Sequence, residues 1–153
     1  MHRLLTLVAL SLALALAPAF GEAKSKRIHV TAKIVQQTFT GDLASPKLGD
    51  QLISSVELFD QHDEKVGTGT GACTIVSVPH LPEVEDTLLQ CLLTAAFDQK
   101  GQLIFGGVAP LPQPGIVAQF GIVGGTDDFR KARGEATLTV ISDTLQDALF
   151  DID

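Results

Sequence analysis

Apolar and polar positions alternate with a period of two through most of this chain. Ile28, Val30, Ala32 and Ile34 alternate with His29, Thr31 and Lys33, the pattern of a strand with one buried face. Thr40-Gly41-Asp42 and Ser45-Pro46-Lys47 break the pattern and mark a loop. A second strand is predicted over Gln51–Phe59, a polar turn over Asp60–Lys65, and a third strand over Val66–Val78. Pro79–Asp86 reads as an acidic loop. The fourth strand, Thr87–Phe97, is apolar on both faces, with Leu89, Cys91, Leu93 and Ala95 on one and Leu88, Leu92 and Ala96 on the other. A lone sheet shows water one face, so the outer side of this strand should be covered, by another subunit or by the chain's own termini.

Asp98-Gln99-Lys100-Gly101 is a turn, with glycine where a positive φ is commonly needed. Strand five spans Gln102–Val108, and Pro110, Pro112, Pro114 and Gly115 make an irregular connection. Strands six and seven span Ile116–Val123 and Glu135–Ser142. The last residues fit two patterns: Leu145, Ala148, Leu149 and Ile152 make a helical stripe, whereas Ala148, Phe150 and Ile152 make a strand face. Seven or eight short strands with regular turns and no long helix define an all-β barrel or sandwich.

Residues 1–23 have the order of a secretory signal peptide: a short basic start, an apolar run over Leu4–Ala17, then small residues around Ala17-Pro18-Ala19. The apolar run is shorter than the roughly 20 residues of a membrane span. The expected organisation is thus a cleaved leader and one domain over residues 24–153, secreted or periplasmic, with no membrane role after cleavage. The net charge is −7, with 11 Lys and Arg against 18 Asp and Glu. An acidic chain whose only dense basic cluster is Arg130-Lys131-Arg133 is not a nucleic-acid binder. The mature histidines His29, His62 and His80 lack the spaced partners of a metal site, so no metal and no cofactor is expected. Gly67-Thr68-Gly69-Thr70-Gly71 lacks the following Lys-Ser/Thr and helix of a phosphate loop. Glycines spaced by two on one strand face instead give the room that strong coiling of a sheet needs.

Between strands six and seven lies Gly124-Gly125-Thr126-Asp127-Asp128-Phe129-Arg130-Lys131-Ala132-Arg133-Gly134. Its glycines permit backbone angles closed to other residues, so the segment reads as a tight charged crossover. It resembles the GGT-x-x-FR-x-ARG signature of plant dirigent proteins and, more loosely, the matching segment of allene oxide cyclases. Gly124, Gly125, Thr126, Phe129 and Gly134 are the structural residues this resemblance picks out. Leu48-Gly49-Asp50, Leu58-Phe59-Asp60, Gly71-Ala72-Cys73 and the hairpin from Phe97 to Gly107 fall in the order found in the cyclases and their bacterial relatives. The resemblance implies a single eight-stranded antiparallel β-barrel, so the C-terminal segment is read as the closing strand, which also removes an unpaired edge. It further implies a homo-oligomer, dimer or trimer.

The reactive residues of those families are not matched. The cyclase glutamate and asparagines have as counterparts Gln36 or Gln37 on the first strand and about Val56 on the second. The chain contains no Asn and no Tyr. Glu57 is the one carboxylate inside a predicted strand body: inward it would be a desolvated general acid or base, outward a solvated charge. Gln36, Gln90 and Gln119 would suit fixing a ligand in an otherwise apolar cavity. Arg130 and Arg133 would pair with Asp127, Asp128 or Glu135, or else bind an anionic ligand. Cys73 and Cys91 sit on consecutive strands about equidistant from a turn near Pro82, where they could face each other. In an exported chain they suggest one disulfide; the cyclase resemblance implies the alternative of a free Cys73 lining the pocket.

The functional expectation is a barrel whose lumen takes a small apolar organic molecule, either steering its ring closure or coupling by shape or simply carrying it. The remaining alternative is a structural barrel filled by its own side chains. A buried carboxylate or arginine in the lumen would separate the first from the second, and an open cavity would separate both from the third.

Overall fold

A computed structural model describes residues 25–79 and 86–153. The expected signal peptide over residues 1–23, His80 and most of the acidic loop lie outside the described residues. Eight strands follow in order: β1 Lys26–Phe39, β2 Gln51–Phe59, β3 Lys65–Ser77, β4 Leu88–Phe97, β5 Gly101–Pro110, β6 Val117–Gly125, β7 Gly134–Ser142 and β8 Leu145–Ile152. Each pairs antiparallel with the next, and β8 also pairs with β1, so the sheet closes into a barrel. The C-terminal segment is therefore the closing strand.

Several boundaries shift by a residue or two from the sequence reading, and two larger differences have local reasons. β1 continues well past Ile34 through a bulge at Val35, where Ile34 pairs with Val56 but Gln36 pairs with Ser55. One extra residue in a ladder reverses which face each later side chain takes. β5 runs on to Pro110, which pairs with Leu88. Proline is tolerated there because it ends the strand.

Alternation sorts the side chains into a packed interior and a wet exterior. Val30, Ala32, Leu58, Ile75, Leu89, Leu103, Ala136 and Ala148 are among the buried inner positions. A chain of phenylalanines fills the interior towards the crossover. Phe129 lies 5.5 Å from Phe97, Phe97 6.0 Å from Phe150, Phe150 5.2 Å from Phe105, and Phe105 6.1 Å from Phe120. Three of these four contacts are edge-on, a geometry that suits the ring quadrupoles.

Cys73 and Cys91 are direct partners in the β3–β4 ladder, both buried on the inner face, and form a disulfide. The alternative of a free Cys73 is thereby set aside. The bond closes a sequence separation of 18 residues, which on the chain-entropy account stabilises the fold by about 3 kcal/mol. A disulfide fits an oxidising compartment.

Candidate functional site

The inner faces of the strands line a partly open cavity of about 50 Å³. Its apolar wall includes Val56, Leu58, Leu93, Phe105, Leu138 and Phe150. Ser54 and Gln146 are its inward-facing polar side chains, Thr70 and Thr94 also border it, and among the described residues no ionisable side chain lines it. The glycines of β3 shape this space. Gly69 pairs with Val56 and Gly71 with Leu93. Val56 Cγ2 and Leu93 Cδ2 lie 2.8 Å and 2.5 Å from where β-carbons on those glycines would stand. Each large side chain thus lies flat over its glycine partner, and the centre of the lumen stays open.

The crossover closes one end of the barrel, and its signature residues have structural roles. Asp127–Phe129 form a short 3₁₀ turn that carries Phe129 into the core at 2 % exposure. Thr126 ties the crossover to β5: its N–H donates to the Gln102 carbonyl (2.9 Å), and its Oγ1 accepts from the Gln102 N–H (3.1 Å). Gly124 and Gly134 have φ of 151° and 123°, values that L side chains rarely adopt. Gly125 needs no positive φ; a β-carbon there would meet the Gln102 carbonyl and Phe129 Cβ at 2.7 Å. Its role is close approach, which corrects the expectation that both glycines serve for their backbone angles.

The arginines do not form the expected ion pairs. Arg133 Nη1 donates to the carbonyls of Ala132 (2.7 Å) and Val123 (3.2 Å), and Arg130 is exposed. Backbone oxygens left free where the strands part for the crossover are the acceptors this guanidinium reaches. Among the described residues, ion pairs lie elsewhere: Arg27–Asp151 at 2.9 Å, His29–Asp147 and Glu57–Lys65 at 2.6 Å, and Lys33–Asp63 at 3.0 Å.

Glu57 is one of those pairs, and this corrects its candidacy as a buried acid or base. Leu58 is the buried member of that stretch of β2, so Glu57 points outward, with its side chain 39 % exposed and bonded to Lys65. Gln90 and Gln119 are likewise exposed on the outer faces of β4 and β6, each between buried neighbours. Gln36 is exposed too, because the bulge at Val35 reverses its face. It borders an external groove of about 430 Å³ over β1 to β4, with Thr38, Ile53, Thr70, Leu92 and Thr94. No sequence-predicted ligand residue therefore lines the lumen. Ser54 and Gln146, which do, were legible as polar members of otherwise apolar faces: Leu52-Ser54-Val56-Leu58 and Gln146-Ala148-Phe150-Ile152.

Solved structures of other proteins share this closed barrel. Pyocyanin demethylase superposes with a TM-score of 0.69 at 22% identity, covering 82% of this chain and 99% of that one. An exo-specific intermolecular Diels–Alderase, AbnU, gives 0.65 at 18% identity, covering 83% of this chain and 98% of its own. A pterocarpan synthase dirigent protein gives 0.59 at 20% identity, covering 84% and 88%. At these identities the likeness is one of fold. No family model matches the sequence, and a search of curated proteins gives no match.

Proposed function

We propose that the barrel holds a small, uncharged, largely apolar organic molecule in its lumen, in an exported protein. The observation that carries this reading is the composition of the cavity wall: largely apolar, with Ser54 and Gln146 as its inward polar side chains and, among the described residues, no ionisable group. Such a wall orients a neutral molecule through one or two hydrogen bonds and leaves a charged one without a partner. The named fold neighbours, a demethylase, a Diels–Alderase and a dirigent synthase, support a small organic ligand. Any effect on that ligand's reactivity would come from shape and proximity, since Glu57 lies outside. Between steering a reaction and carrying a ligand, the absence of an ionisable cavity side chain favours the carrier.

One observation favours the structural reading as well. At about 50 Å³ the cavity takes a few waters, whereas ordinary ligand pockets start near 300 Å³. A ligand of ordinary size therefore enters only as the lining side chains move apart. Native mass spectrometry of the protein isolated from its own secretion, before and after denaturation, separates the readings. A reproducible small-molecule adduct supports the ligand-holding barrel. A bare mass, together with no saturable uptake of a neutral apolar probe, leaves the filled structural barrel.

A further inference from the structure

A larger space than the lumen lies on the outside of the barrel. The groove over β1 to β4 holds about 430 Å³, inside the range of roughly 300–1,000 Å³ that ligand sites occupy. A bulge builds one side of it. The extra residue at Val35 turns Gln36 and Thr38 outward, and re-aiming a side chain is a recurrent use of bulges beside functional sites.

Two adjacent ladder rows make the groove. Gln36, Ser55, Thr70 and Thr94 are successive partners from β1 to β4, and so are Thr38, Ile53, Ala72 and Leu92. The first row is polar and uncharged throughout. Its members stand about 4.8 Å apart, one strand spacing. Among the described residues none of their side chains is engaged in a hydrogen bond. In the second row the small Ala72 lies between Ile53, 47% exposed, and Leu92, 60% exposed. The floor therefore dips where apolar side chains stand on either side. Among the described residues no charged side chain lines the groove.

We propose that this groove binds a neutral saccharide, with a C–H face over Ala72 between Ile53 and Leu92 and its hydroxyls on the row from Gln36 to Thr94. Composition selects this class. A charged ligand finds no counter-charge there, and an anionic one also meets a chain of net charge −7. A wholly apolar ligand would strip water from four polar side chains without replacing their hydrogen bonds. A peptide has no strand edge to extend, because β8 closes on β1. What remains is a molecule with an apolar face and neutral groups that both donate and accept, as Ser, Thr and Gln side chains do. A pyranose ring has that make-up, and its width is comparable with the spacing of the polar row. This inference is independent of what the lumen holds.

An NMR titration of the oxidised protein tests it, with cellotriose, maltotriose and xylotriose as neutral probes and trigalacturonate as the charged one. The expected result is saturable shifts centred on Ser55, Thr70, Ala72, Leu92 and Thr94 with at least one neutral probe, and none with trigalacturonate. Thr70→Val keeps the side-chain shape but removes the hydroxyl, and should weaken binding about fivefold. Ala72→Leu fills the floor and should abolish it. Both positions are exposed, so the fold tolerates the changes, and circular dichroism should be unchanged. Ile141→Ala, on the exposed face of β7 away from the groove, should bind as the wild type does. No saturable shift with any neutral probe overturns the proposal, as does a response centred on the lumenal Phe105 and Leu138. Equal binding of trigalacturonate, or binding that survives both Thr70→Val and Ala72→Leu, also overturns it.

Discussion

Leu93 lies where a β-carbon on Gly71 would have to go, its Cδ2 2.5 Å from that position, and the two residues are direct partners in the β3–β4 ladder. The glycine therefore keeps the leucine out of the lumen. In Gly71→Ala the obstructing atom is the end of a flexible side chain, so Leu93 turns inward and the fold survives at a cost of about 1 kcal/mol. The cavity closes and lumenal binding is lost. Gly67 differs, because a β-carbon there meets the backbone carbonyl of Ala96, which cannot turn aside. Gly67→Ala should cost about 3 kcal/mol or more, and urea denaturation of the two variants checks the ranking.

The crossover predicts an equally sharp contrast. Phe129 is buried against Phe97, whereas Arg130 beside it is exposed. Phe129→Ala should destabilise the barrel by about 3–5 kcal/mol through the cavity it leaves. Arg130→Ala should stay within about 0.5 kcal/mol of the wild type. Thermal or urea unfolding distinguishes a crossover that plugs the core from one that serves a surface ligand.

Reducing the Cys73–Cys91 bond should lower stability by about 3 kcal/mol on the chain-entropy account. The check is the urea midpoint with and without reductant. A double Cys73→Ala, Cys91→Ala variant should be destabilised further, because both sulfurs are buried on the inner face and their loss leaves a void.

Asp60 begins the β2–β3 turn, where its Oδ1 accepts from the backbone N–H groups of Glu64 (3.0 Å) and His62 (2.8 Å). These bonds, the one to Glu64 first, hold its carboxyl below the ordinary value of 3.8. A depressed folded-state value means the unfolded chain binds the proton more readily. The turn's contribution is therefore present above pH 3.8 and is lost as pH falls through the lower folded-state value. Hydrogen exchange at Glu64 and His62 should accelerate through that acid window, and Asp60→Asn should remove this acid transition.

Period-two patterning made the strands legible, because a barrel strand needs one buried face and little else. The side each residue takes was harder to read. β4 is apolar on both faces, so alternation alone could not say that Leu89 and Cys91 point in while Leu88 and Gln90 point out. On β1 the bulge at Val35 reverses the faces, and a steady count from Ile28 puts Gln36 inside when it stands outside. The crossover looked like a charged surface loop because its charges outnumber its apolar residues. Its core contribution rests on Phe129 and Ala132, which only the 3₁₀ turn brings inward. Ser54 and Gln146 left a sequence signal in their apolar faces, but nothing in one strand says that it meets the other across a cavity.

The most direct test of the lumenal reading is an NMR titration of the wild-type protein and Leu93→Ala with neutral aromatic molecules of increasing size, from benzene to N-phenyl-1-naphthylamine. The account predicts saturable one-to-one shifts centred on Ala148, Phe105 and Leu138. Larger probes should be admitted once Leu93 is truncated. No saturable shift at those residues in either protein, with any probe, would contradict it and leave a barrel whose interior serves only to hold it together.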